Sequence, residues 1–324
     1  MAYAIFAAQP GGTEVLERRD IDPPLPGSGE VLIRHTAIGV NFIDVYFRTG
    51  AYPWPVERDL VLGSEGAGVV EAVGPDVTGV SPGDRVAYTV PNGAYASHRI
   101  VPAAMLVPLP DNVQDEQAAG AMLKGLTVHY LIHHSYAVQP GDTVLVHAAA
   151  GGVGQIAGQW LRAKGVRAIG TAGGAEKCAL ARDNGYDAVI DYSSGDWVEE
   201  VKALTDGKGV AAVYDGVGKD TILGSVAVLR RFGSLVSFGQ ASGAPDQFRI
   251  SHLASGSLRL TRPTLFHHTA SREWLTGAAA DLFAVIAEGR VKIDTGTPSP
   301  LADVAEVHAA LEGRKTTGSA ILIP

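Results

Sequence analysis

Between Val144 and Gly154 a short apolar run, Val144-Leu145-Val146, gives way to small residues and then to three glycines. The spacing Ala149-x-Gly151-x-x-Gly154 is that of a dinucleotide fingerprint with alanine in its first slot. A turn made of Ala150, Gly151, Gly152, Val153 and Gly154 lets main-chain N–H groups approach a pyrophosphate, and the dipole of the following helix favours negative charge there. Apolar side chains continue at helical spacing through residues 155–164, and Arg167–Ala172 reads as a second strand. Together they close a βαβ unit of roughly 30 residues. No Gly-Lys-Ser/Thr follows the glycines, which disfavours a nucleoside-triphosphate loop.

An NAD site carries an acidic residue at the end of its second strand, where it binds the ribose. Thr171-Ala-Gly-Gly174 has none; Lys177 follows it, and Tyr192 comes after the next strand. Glu176 either meets a 2′-hydroxyl or occupies the first turn of the next helix, and the helix turn is the preferred place. Metal-ligating types are sparse. Cys178 is the only cysteine, so neither an intrachain disulfide nor a multi-cysteine zinc site can form. His129 and His133 lie at i,i+4, but no third ligand accompanies them, and they read as ordinary helix-surface histidines.

The elements that must position these groups come in two textures. The chain has 324 residues, enough for about two domains, and its hydrophobic fraction of 46% supplies sizeable cores. Residues 1 to about 120 hold short β-branched runs such as Val31–Ile38 and Gly68–Val73, punctuated by Pro-Pro, Pro-Gly and Gly-Pro pairs, as in a compact barrel. An Ala- and Leu-rich helix is expected over Glu116–Tyr136. Strands at Ala188–Ile190, Ala211–Tyr214 and Ser234–Phe238 then alternate with helices at Trp197–Thr205 and Thr221–Arg231, the pattern of a parallel, doubly wound sheet. Beyond Pro263 helices are expected over Trp274–Glu288 and Leu301–Glu312, with a closing strand at Ser319–Ile323. The fold class is therefore α/β. A net charge of −8 disfavours a nucleic-acid groove built on overall basicity. Neither a secretory signal nor an apolar run of membrane-spanning length is evident, so a soluble cytoplasmic protein is expected.

Several stretches occur in order: Gly39-Val-Asn-Phe-Ile-Asp44, Gly63-Ser-Glu-Gly-Ala-Gly68, Pro82-Gly-Asp-Arg-Val86, Lys124-Gly-Leu-Thr127, His147–Gly154, Tyr214-Asp-Gly-Val-Gly218, Val236-Ser-Phe-Gly239, Thr261-Arg-Pro263 and the closing Leu-Ile-Pro324. With them the whole chain resembles the zinc-free quinone oxidoreductases of the medium-chain dehydrogenase/reductase superfamily, the group that includes zeta-crystallin. The resemblance implies a chaperonin-10-like (GroES-like) β-barrel domain from 1–123 and 263–324, a Rossmann domain over 124–262, NADPH as cofactor, and a homodimer. The edge strand Leu258–Thr261 is the expected dimer contact. Zinc-dependent relatives place a cysteine where Asn41 stands and a histidine where Ser64 stands. Both ligand types are missing here, Glu65 alone cannot hold a catalytic zinc, and no metal is expected.

By the same resemblance Lys177 and Tyr192 grip the adenosine 2′-phosphate, with Gly173 giving backbone access. Asn41, Tyr46, Tyr52, Thr127 and the backbone at Phe238-Gly239 surround the nicotinamide, and Ser319 and Arg314 reach towards the cofactor. Asn41 and Tyr46 would donate hydrogen bonds to a carbonyl oxygen gaining charge. Asp44 orders Tyr46 or caps a helix, the cap being preferred. Arg262 either lines the substrate cleft or forms an ion pair. The expected activity is metal-free, NADPH-dependent reduction of quinones. The same donors would serve an enone or 2-alkenal reductase. A rival of another class is a non-catalytic NADPH-binding protein, structural or RNA-contacting; the acidic balance disfavours RNA.

Overall fold

The computed structural model describes residues 2–324. Its contacts divide the chain into two units: one of residues up to Leu126 with Phe266–Ala287 and Ile293–Pro324, the other of Thr127–Leu265 with Glu288–Lys292.

The first unit begins with β1 (Tyr3–Ala7), β2 (Leu16–Asp20) and β3 (Glu30–Gly39), followed by the helix α1 (Phe42–Arg48). Then come β4 (Leu60–Val61), β5 (Glu65–Val73), β6 (Arg85–Thr89), β7 (His98–Pro102) and β8 (Val107–Pro108). The helix α2 (Asp115–Tyr130) carries the chain into the second unit. The helix expected to reach Tyr136 widens into a π-turn over Leu131–Ser135. There His133 Nδ1–H donates to the His129 carbonyl oxygen at 3.0 Å, and the Tyr136 N–H reaches back to the Leu131 carbonyl.

In the second unit βα alternation is regular: β9 (Thr143–Val146), α3 (Gly152–Ala163), β10 (Arg167–Ala172), α4 (Ala175–Asp183), β11 (Ala188–Asp191), α5 (Trp197–Leu204), β12 (Val210–Asp215), α6 (Ile222–Ala227), β13 (Leu229–Ser237) and β14 (Arg259–Thr261). The six strands lie in the order β11-β10-β9-β12-β13-β14 with every pairing parallel. The helix expected to run to Arg231 stops at Ala227, because β13 starts early, pairing Leu229 with Val210. Sheet pairing overrides local helical preference over Leu229–Arg231. Leu145, Ile169, Val213 and Leu235 form the core of this sheet.

The chain returns to the first unit with α7 (Leu265–Thr269), α8 (Arg272–Ala287), β15 (Ser299–Pro300), α9 (Val304–Glu312) and β16 (Ile321–Ile323). Strand β16 pairs with β3 and extends the larger sheet, ordered β15-β16-β3-β5-β6-β8 with β7 also on β3. A smaller antiparallel sheet, β2-β1-β4, accompanies it. Ile33, Ile38, Leu62, Tyr88, Tyr95 and Leu322 pack in the core of this unit.

Candidate active site

In the first unit the chain leaves β3 at Gly39, where a Cβ would run into the Glu65 side chain and the Ala119 carbonyl. Asn41 follows as the N-cap of α1. Its N–H donates to Asp44 Oδ2 at 2.9 Å, so Asp44 caps the helix. Asp44 is fully buried and also accepts from Ser64 Oγ at 2.7 Å and Tyr95 Oη at 3.0 Å. Burial raises its pKa to about 6 against those hydrogen bonds.

The Asn41 side chain meets a second carboxylate. Its Nδ2 donates to Glu65 Oε1 at 2.8 Å, and Lys124 Nζ meets the same oxygen at 2.9 Å. Among the described residues no cluster of three or more His, Cys, Asp or Glu is placed to hold a metal. Tyr46, on α1, is half-buried with its ring 5.2 Å from that of Tyr52, whose N–H donates to the Tyr46 carbonyl at 3.0 Å. The structure thus brings Asn41, Tyr46 and Tyr52 to one short helix and its exit. Ser319 is buried and its hydroxyl donates to Gly120 O at 2.8 Å, leaving only lone pairs for another group. Arg314 is exposed just after α9, at φ +56.

In the second unit β9 sits between β10 and β12, the point where strand order reverses and open α/β sheets bind nucleotides. The chain turns there through Ala148, at φ +53, and enters α3 with Gly151 as a cap that no side chain covers. A Cβ on Gly154 would run into the Ala148 and Ala149 carbonyls, so the first helical turn lies flat on the turn before it. Main-chain N–H groups at an uncapped helix start fit a pyrophosphate.

Beneath this turn the buried His147 ring contacts Thr171 Oγ1 at 2.8 Å and Ser225 Oγ at 3.0 Å, and Ser225 donates to Asp215 Oδ2 at 2.8 Å. Burial pushes the His147 pKa down, so the ring is neutral and anchors the end of β9.

At the ends of β10 and β11 stand Gly173, Lys177 and Tyr192. A Cβ on Gly173 would lie 2.7 Å from the Tyr192 hydroxyl, and Tyr192 is 44% exposed. Lys177 is half-buried in α4, while Glu176 is exposed in its first turn. Asp191, missed from sequence, accepts the Gly174 N–H at 3.0 Å, which chiefly holds its carboxyl below the usual range. The Asp191-Tyr-Ser-Ser run was its one signal, since Asp191 Oδ1 also takes the Ser193 N–H. Thr127 is buried. Gly239 lies against Gly216, where a Cβ would come 2.5 Å from a carbonyl oxygen. Phe238 donates its N–H to Asp215 O at 2.9 Å. Arg262 Nη1 donates to Ser237 O at 3.0 Å and lines a cavity of about 140 Å³ with Ser237, Gln240 and Phe248.

Residues 27–111 match the alcohol dehydrogenase GroES-like domain family, and residues 152–281 the zinc-binding dehydrogenase family. A quinone oxidoreductase of Pseudomonas aeruginosa is 48% identical over 326 residues, covering 100% of both chains. The chain belongs to the quinone oxidoreductase family. The crystal structure of the Escherichia coli quinone oxidoreductase complexed with NADPH superimposes with a TM-score of 0.97 at 44% identity, over 99% of this chain and 100% of that one. A 2-haloacrylate reductase of Burkholderia is 40% identical over 100% of this chain and 99% of its own. In this quinone oxidoreductase homologue the Asn41 amide faces Glu65 and the Ser64 hydroxyl faces Asp44.

Proposed function

We propose that this protein is a zinc-independent NADPH:quinone oxidoreductase. The observation that carries the proposal is the Asn41 amide, fixed at the start of α1 with its nitrogen on Glu65 and a second N–H left to donate. The full-length similarity to quinone oxidoreductases, one of them complexed with NADPH, supports substrate class and cofactor. The turn Ala150–Gly154 would hold the pyrophosphate, and Gly173, Lys177 and Tyr192 the 2′-phosphate. A cationic amine and a phenol suit a phosphate better than a 2′-hydroxyl. Thr127, Phe238-Gly239 and Ser319 would bound the nicotinamide. When bound, the nicotinamide supplies the reducing electrons. Asn41 and Tyr46 would donate to the acceptor carbonyl as its oxygen gains charge, with Tyr52 fixing the Tyr46 ring.

A second reading, reduction of a conjugated C=C as in an enone or alkenal, is favoured by the 2-haloacrylate reductase relative. The same donors would serve a carbonyl conjugated to that bond. The test is NADPH consumption with ortho- and para-quinones and with alkenals, and NADP⁺ reduction by primary alcohols. Quinones are expected to be fastest. A strong preference for alkenals would move the assignment to the second reading, and fast alcohol oxidation would overturn both.

The same reading places the protein in the cytoplasm as a homodimer. Among the described residues no helix is long and apolar enough to cross a membrane. The pairing face would be the outer edge of β14, last in its sheet, with Leu260 39% exposed. Light scattering on diluted protein checks the dimer.

A further inference from the structure

Two buried carboxylates hold Asn41 from opposite sides. Asp44 takes its main-chain N–H, and Glu65 takes its side-chain nitrogen. Glu65 is fully buried at the start of β5, where three donors converge on it: Asn41 Nδ2 at 2.8 Å, Leu123 N at 2.6 Å and Lys124 Nζ at 2.9 Å. Lys124 is itself 6% exposed and reaches the carbonyl of Val40, the residue before Asn41, at 3.3 Å.

The donor set dictates how the amide lies. An ionised carboxylate only accepts, so Asn41 must turn its nitrogen, not its oxygen, towards Glu65. One of the two amide hydrogens is used there, and the other remains to donate. Were the amide reversed, its oxygen would face the carboxylate, and the donor would become an acceptor towards any substrate carbonyl. A buried carboxylate stays ionised only with a compensating charge, and the ammonium of Lys124 supplies it on the same oxygen.

We propose that Lys124 and Glu65 are positioning residues of the reductase: their ion pair locks the Asn41 amide nitrogen-first, so that its second N–H is presented to the substrate carbonyl. The proposal rests on the reading of Asn41 as the donor to that carbonyl. Lys124 then provides a fixed positive charge behind the donor.

The test is a double-mutant cycle of Lys124→Met with Asn41→Ala, read as kcat and KM for quinone and NADPH, together with the ¹⁵N spectrum of the side-chain amides. Asn41→Ala assigns the Asn41 pair of resonances by their loss. In the native protein one Asn41 hydrogen, bonded to a carboxylate, is expected well downfield of the other. Lys124→Met should draw the two together and lower kcat about 10- to 100-fold, short of or equal to the loss of a whole oxyanion donor, with NADPH affinity unchanged. In the Asn41→Ala background the same change should cost less than about twofold, because partners acting through one group are not additive. Where Lys124→Met does not fold, Glu65→Gln/Lys124→Met, which removes both charges of the pair, takes its place with the same expected outcome. Unchanged amide resonances, or losses that add in full, would overturn the proposal. A native protein without quinone turnover would remove the functional reading instead, and the amide spectrum would still decide the positioning.

Discussion

The Tyr95 hydroxyl meets His308 Nε2 at 2.8 Å and donates to Asp44 Oδ2 at 3.0 Å. Arg48 fixes the direction of this relay. A guanidinium has no acceptor, and Nη1 lies 3.1 Å from His308 Nδ1, so Nδ1 accepts and Nε2–H donates to Tyr95. The phenol proton is left for Asp44, under the cap of α1. Glu312 closes the other end, taking Arg48 Nη2 with both oxygens at 2.8 Å. Tyr95→Phe keeps the ring but strands the His308 N–H and one Asp44 lone pair. The expected loss is about 1–3 kcal/mol, read as a lower denaturant midpoint at unchanged slope. An unmoved midpoint would mean that the relay carries no stability.

Acid sensitivity follows from buried histidines. Burial drives His35 and His308 from 6.5 down to about 3, the Arg48 charge adding to the effect at His308. Both must stay neutral in the folded state, so the unfolded chain binds more protons between these values. Their stabilisation is complete above 6.5 and is lost as pH falls towards 3, by about 1.4 kcal/mol per pH unit for each histidine. Asp44 acts with opposite sign. Its pKa is raised from 3.8 to about 6, so its stabilising share is full below 3.8 and gone above 6. Net stability should therefore fall from pH 6.5 towards 4, less steeply than two histidines alone would give. Urea titrations from pH 4 to 7 check this, and His308→Asn should flatten the slope by one histidine's share.

Cofactor choice should rest on Lys177. A charge-assisted hydrogen bond contributes about 1.5–3 kcal/mol, so Lys177→Ala is expected to weaken NADPH binding about 10- to 100-fold and to leave NADH binding nearly unchanged. Fluorescence titration with each nucleotide separates the two. Equal losses would make the lysine structural.

Tyr46→Phe removes a donor while keeping the contacts of the ring with Tyr52 and Phe42. The expected drop in kcat/KM for quinones is at most about 10²- to 10³-fold, the range for one oxyanion-type donor, with folding intact by circular dichroism. Unchanged rates would return Tyr46 to a packing role.

Activity should not depend on zinc. Elemental analysis of the purified protein is expected to find no stoichiometric zinc, and turnover should survive a strong chelator. Chelator-sensitive activity would contradict the roles given to Asn41 and Ser64.

The sequence by itself determined what periodicity and local chemistry can express. The fingerprint Ala149–Gly154, the βα alternation after Val144 and the β-rich texture before residue 120 are local patterns, and each appears as an element of the fold. The motif around Asn41 was legible as a family resemblance, and Asp44 as a cap through its spacing. Tertiary structure alone decided which buried groups meet. Lys124 stands in an Ala-rich helix and Glu65 lies 59 residues before it on β5, so no sequence period links them. Tyr95 and His308 are 213 residues apart, and Asp191 finds Gly174 only because β10 and β11 are neighbours. A hydrophobic pattern records that a position is buried. It does not record the partner that makes burying a charge tolerable, because that partner comes from another element, and only the packed chain brings the two within hydrogen-bonding distance.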